Sequence, residues 1–262
     1  MRKLEEFILE KLKISKIERK YKPKSKEELV NLMIEEIKAN GPDCSLNHID
    51  VSNITDMSYL FTGGDDLKYW DGHPVLSEFD GDISEWNVSN VTDMQGMFER
   101  CKYSGKNGDI SDWNVSNVTN MTGMFENSRF NGDISDWDVS NVRDMAYMFS
   151  DSKYIGDISK WDVSNVENMG CMFCDSKFKG DISKWNVSNV KTMSEMFKHS
   201  KFNGDISNWD ISSVKWFTEM FMDSSFSGDI SKWQLNSNAK RRMNNMFDNS
   251  PLENNPPKWY NN

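Results

Sequence analysis

Histidine is scarce in this 262-residue sequence: only His48, His73 and His199 occur. They fall in separate stretches and share no carboxylate at a fixed offset, so no acid–base constellation is expected and no catalytic residue is named. Cysteine is nearly as rare, with Cys44, Cys101, Cys171 and Cys174 scattered too loosely to read as a disulfide framework. Cys171-x-x-Cys174 has no second pair at metal spacing and no βαβ context, so no metal or cofactor is expected. No stretch reaches the roughly 18–20 apolar residues of a membrane span, which argues against membrane insertion. Glu5, Glu6 and Glu10 break any apolar core of a signal peptide, so the chain is expected to be cytoplasmic when made. Positive charge is also short. Lys and Arg number 31 against 41 Asp and Glu, a net charge of −10, which argues against a general nucleic-acid binder. The basic excess is confined to the start, where residues 1–26 carry ten Lys/Arg against four Glu and leave the remainder at −16.

What the sequence has is a period. Trp113, Trp137, Trp161, Trp185, Trp209 and Trp233 recur every 24 residues. Gly-Asp-Ile-Ser units start at Gly81, Gly108, Gly132, Gly156, Gly180, Gly204 and Gly228. A fixed period in the 20s is the signature of a solenoid, in which each coil buries its apolar side only against its neighbours. The expected fold is a right-handed α/β solenoid of about eight coils with a helical N-terminal cap.

Four segments follow. Residues 1–24 read as a basic docking helix and linker, with Leu4, Phe7, Ile8 and Leu12 on one helical face. Residues 25–43 read as a helical cap: Ser25 with Glu28 forms a capping box, Leu29, Leu32, Met33 and Ile37 form a stripe, and Gly41-Pro42 stops it. Residues 44–250 are the coils, with an insertion at 62–80 containing Tyr69, Trp70, His73 and Pro74. Residues 251–262, with three Pro and Trp259-Tyr260, read as a C-terminal cap.

Within a coil such as 132–155, Trp137-Asp138-Val139 alternates as a short strand should. Met145, Met148 and Phe149 have the i, i+3, i+4 spacing of a short helix. The glycine of each Gly-Asp turn is expected to supply a positive φ. The Asp column from Asp82 to Asp229 stacks like charges, which persists only if the carboxylates are solvated or accept backbone N–H bonds.

The unit GDISKWDVSNVENMGCMF (156–173) resembles the leucine-rich-repeat-like units of BspA-like surface proteins, also seen as 25-residue repeats in mycoplasma-type lipoproteins. The resemblance covers roughly residues 44–250. It implies adhesins and other surface or interaction proteins. No signal peptide, lipid-attachment Cys or wall anchor is expected from these residues, a departure from that pattern. LEEFILEKLKISK (4–16) resembles N-terminal segments of crAss-like phage proteins of gut Bacteroidales, which implies a phage-encoded chain with a docking peptide.

These readings imply a non-enzymatic protein–protein interaction or structural protein, in a phage setting virion-associated. The alternatives are a bacterial cell-surface adhesin and a glycan-active enzyme. The partner is then a virion component or a host surface receptor. The column before Trp changes from coil to coil: Glu85, Asp112, Asp136, Lys160, Lys184, Asn208, Lys232. It is either a solvated face with mixed charges or a directional binding strip. Tyr69, Trp70 and His73 join it as candidate binding residues because insertions in repeat proteins are often functional.

Overall fold

The computed structural model describes residues 20–63, 73–236 and 242–260. Helix α1 spans Lys26–Asn40 and begins where the capping residues place it. The Ser25 hydroxyl accepts from the Glu28 N–H, while the Glu28 carboxylate accepts from the Lys24 N–H at 2.7 Å. Gly41, at φ 89°, ends it by donating to the Ile37 carbonyl. Leu29, Met33 and Ile37 are buried in the same apolar core as the coils. A second helix, α2, is the single turn Pro74–Ser77.

Residues just before α1 already belong to the stack. Tyr21 pairs in parallel with Ile49, and the Asp50 N–H donates to the Tyr21 carbonyl at 2.8 Å. Lys20 and Tyr21, expected to belong to the linker of residues 1–24, are thus hydrogen-bonded to the first coil. Leu4, Phe7, Ile8 and Leu12 lie outside the described residues, as do Tyr69 and Trp70.

Equivalent residues of successive repeats bond directly to one another. The N–H groups of Met121, Gly123, Phe125 and Asn127 donate to the carbonyls of Asp144, Ala146, Met148 and Ser150, at 2.7–3.0 Å. The pattern repeats to the last coil, where Asp223 donates to Asp248. Parallel bridges step through Asp56, Asp93, Asn120, Asp144, Asn168, Thr192 and Trp216.

The interior of each coil differs from the expected short strand and short helix. No helix forms at Met145–Phe149. Tyr147 and Asp151 have φ of 59° and 47°, and alternate N–H groups bond to the next coil, so the donors a helix needs are already engaged. Two left-handed positions recur in each full coil. One holds Tyr59, Gly96, Gly123, Tyr147, Cys171, Glu195, Glu219 and Asn245; the other holds mostly Asn, Asp and His. No strand forms at Trp137-Asp138-Val139 either. The Trp137 N–H closes a turn onto Ile134 and the Val142 N–H closes another onto Val139, leaving no ladder of free groups between them. The in–out–in alternation of those three residues does hold.

Aromatic columns fill the core. Phe61, Phe98, Phe125, Phe149, Phe173, Phe197, Phe221 and Phe247 stack with centroids 5.3–5.9 Å apart. Each repeat Trp is buried, and its Nε1–H donates to an Ile or Leu carbonyl one coil back, at 3.0–3.2 Å. Trp259 continues this column: it stacks on Trp233 and donates to the Ile230 carbonyl at 2.9 Å. A third column holds Tyr103, Phe130, Tyr154, Phe178, Phe202 and Phe226, all fully buried. It explains the glycines of the Gly-Asp turns. A Cβ on Gly156, Gly180, Gly204 or Gly228 would lie 2.5–2.7 Å from the ring two residues earlier. None of these four has the positive φ expected of it, so the constraint is contact and not backbone freedom.

Candidate interaction surface

The chain places Glu85, Asp112, Asp136, Lys160, Lys184, Asn208 and Lys232 in one exposed column, because each precedes a Trp whose ring is fixed in the core. The column runs from acidic at the α1 end to mostly basic at the other. At the junction Lys160 Nζ lies 3.2 Å from Asp136 Oδ1, with both side chains more than two-thirds exposed. Lys160 and Lys184 line a shallow recess of about 230 Å³ with Ser159 and Asp181.

The constant polar columns beside it have structural duties. Asp82, Asp109, Asp133, Asp157, Asp181, Asp205 and Asp229 each accept the N–H of the Ser two residues on. That backbone bond holds the carboxyls of Asp133, Asp157, Asp181, Asp205 and Asp229 below the usual carboxylate range. The next column does the same, as where Asp138 and Asp162 accept from Ser140 and Ser164. Asn117, Asn141, Asn165 and Asn189 clip neighbouring coils by donating to the Ser carbonyl one coil back, at 2.7–2.8 Å.

His73 is the one insertion candidate within the described residues. Its Nδ1 accepts from the Val75 N–H and caps α2. Beside α2 lies a groove of about 700 Å³ whose lining includes Arg100, Lys102, Arg129 and Lys153, with Glu78 and Asp151 as its carboxylates. Lys102 pairs with Glu78. Sequence reasoning passed over these cations. Their signal was the column after the buried Cys or Ser: Lys102, Arg129, Lys153, Lys177 and Lys201.

A second cleft, of about 330 Å³, is lined by Tyr59, Gln95, Glu99, Glu126 and Tyr147. Burial, with the Glu99 charge adding to it, pushes the Glu126 carboxyl up to about 7. Burial also raises Glu99, and it takes the Tyr59 hydroxyl to about 12.

His48 pairs with Glu36, and His199 bridges Asp175 and Asp223, at 3.0 and 3.2 Å. The three histidines do not converge. Cys171 and Cys174 are buried; their mutual hydrogen bond holds the Cys171 thiol low and Cys174 high. Among the described residues no group of three or more His, Cys, Asp or Glu is placed to hold a metal ion, and no helix is long and apolar enough to cross a membrane.

Two adjacent stretches, residues 28–155 and 152–259, match the family described as "Mycoplasma protein of unknown function, DUF285". No curated protein and no solved structure matches the chain. The two matches take in α1, the stacked coils and the Trp259 rung, and so cover most of the sequence: the chain belongs to the DUF285 family.

Proposed function

We propose that the chain is a non-enzymatic protein–protein interaction or structural protein, built as a right-handed leucine-rich-repeat-like solenoid that presents a charged recognition face. The observation that carries this reading is a division of labour among the polar columns. The Gly-Asp carboxylates and the Asn clips are engaged in turns and coil-to-coil bonds, whereas the column from Glu85 to Lys232 varies in charge on a rigid frame. Rigid presentation lowers the ordering cost of binding. The family match supports the mycoplasma-type repeat likeness.

The test is retention of a partner on the immobilised chain from extracts of the producing cell and of its host, identified by mass spectrometry. Lys160→Glu/Lys184→Glu/Lys232→Glu is expected to lose at least about tenfold in affinity at low salt. Equal retention by this variant and the wild type refutes the strip as the binding face.

A glycan-active site is the second reading, and the cleft that pairs Glu99 with Glu126 between Tyr59 and Tyr147 is what favours it. Turnover on a panel of glycans that vanishes in Glu126→Gln would establish it in place of the first.

A further inference from the structure

From Asn127 to Ile134 the chain alternates out and in, so residues 129, 131 and 133 and their equivalents form three parallel exposed columns. The first is basic: Arg129, Lys153, Lys177, Lys201. The third is acidic: Asp133, Asp157, Asp181, Asp205. The second, between them, holds Asn131, Ile155, Lys179 and Asn203. The side chains of the four cations make no ion pair or hydrogen bond among the described residues. Ile155, at 61 %, is the most exposed of the large apolar residues described and sits in the central column.

We propose that this face pairs with the same face of a second copy of the chain, about a twofold axis that runs along the stack over the central column. That operation lays the basic column of one copy on the acidic column of the other, coil against equivalent coil. The in-plane twofold perpendicular to the stack would instead set like charge on like. Both columns belong to one set of coils, so their spacings match at every step; the buried rings beneath them lie 6.2–6.4 Å apart from coil to coil where they stack. The interface is isologous, and the pairing closes as a dimer. Ile155 meets its own copy near the axis. Lys179 also meets its own copy, which is the one like-charge contact.

Four coils about 19 Å long and a strip about 14 Å wide bury roughly 600 Å² in total, below the 1,200 Å² of a standard stable interface. Lys160 and Lys184 beside Asp157 and Asp181 also compete for the acidic column. The dimer is therefore weak and salt-sensitive. It does not require the strip from Glu85 to Lys232 to bind a partner, although Lys160 and Lys184 of that strip weaken it through this competition.

Sedimentation equilibrium of the full chain at 50 and 500 mM NaCl tests this. The expected result is a monomer–dimer equilibrium whose Kd rises at least about tenfold at high salt. Lys153→Asp/Lys177→Asp alone and Asp157→Lys/Asp181→Lys alone are expected to be monomeric, and an equimolar mixture to dimerise. Should the second variant fail to fold, Lys179→Asn, which removes the like-charge contact, is expected to tighten the dimer several-fold, and Ile155→Asn to weaken it. A chain that stays monomeric at 50 mM salt up to millimolar concentration overturns the proposal. So does a dimer that none of these substitutions alters.

Discussion

Tyr154 carries a hydroxyl with nowhere to put its proton. The residue is fully buried, and its oxygen is the one buried side-chain polar atom without a hydrogen-bond partner among the described residues. The ring packs between Phe149 and Phe130, with centroids at 4.6 and 6.2 Å, and Gly156 presses on its hydroxyl end. Stripping water from such a group without replacing it costs about 1–3 kcal/mol. Tyr154→Phe removes that cost. The space left by one oxygen is small, and the equivalent Phe178, Phe202 and Phe226 already pack against Gly180, Gly204 and Gly228 at nearly the same distance, so the opposing cavity cost is well under about 1 kcal/mol. The expected net effect is a gain of about 1 kcal/mol, or about 2–4 °C in Tm for a chain of this size.

The same atom change one rung away should have the opposite sign. Tyr103 occupies the same column, but its hydroxyl donates to the Gly108 carbonyl at 2.6 Å. Its coil is three residues longer, and those residues bring the acceptor within reach. Tyr103→Phe breaks the bond and orphans a buried carbonyl, so it should lose about 1 kcal/mol. Urea midpoints with the m-value held constant, together with thermal melts followed by tryptophan fluorescence, read both variants. If Tyr154→Phe is destabilising by more than about 0.5 kcal/mol, or if the two variants shift in the same direction, the hydroxyl is not unsatisfied and the reasoning fails.

Glu126 has a folded pKa raised from 4.5 to about 7, so its proton is held more tightly in the folded chain. Its contribution is fully present below pH 4.5 and is lost as the pH rises through 7. Glu126→Gln should therefore gain about 1 kcal/mol at pH 8, allowing for solvent screening, with no gain at pH 4; urea midpoints at both values decide it. Gly123, at φ 61°, has only the Glu126 side chain within 4 Å of its missing Cβ, no nearer than 3.3 Å. Gly123→Ala should cost about 1 kcal/mol through the backbone alone, and an unchanged midpoint would remove the left-handed argument. Trp259→Ala removes the last rung. Amide exchange at Phe247–Ser250 should then accelerate at least about tenfold, with Met57–Phe61 unaffected, because repeat stability is a nearest-neighbour sum; uniform acceleration would instead mark a single cooperative unit.

The period and the apolar columns were legible because identical residues must stack on identical residues, and Trp, Phe, Met, Ile and Val all proved buried where the column rule puts them. The cap helix was legible from Ser25, Glu28 and Gly41, each of which acts as its type dictates. The conformation of the Met-x-x-Met-Phe segment was misread for a physical reason. Spacing of i, i+3, i+4 is equally satisfied by a tight ribbon with two left-handed residues, and the bonds that select the ribbon run between coils, where local spacing does not report them. A usable signal did exist. The column Asn127, Asp151, Asp175, His199, Asp223 and Asn249 is rich in the residue types that tolerate positive φ, but Arg100 and the mixed column at Tyr147 and Glu195 obscured it.

The two acidic columns show how a repeat decides which charges remain for a partner. In the bridged column Asp93, Asn120, Asp144 and Asn168 alternate, and each amide donates to the carboxylate one coil back, at 3.2 and 3.0 Å. No two carboxylates are adjacent over that stretch, and the charge is answered from within. The Gly-Asp column has no such alternation. Its Asp is constant because the turn beneath needs an acceptor for the Ser N–H, and Asn would serve that bond as well. Keeping Asp sets like charge beside like charge, relieved in part by Lys160, Lys184 and Lys232 of the neighbouring column. Turn chemistry alone does not require that charge; the lysines of the neighbouring column answer part of it, and the proposed opposing row of Lys and Arg would use the remainder.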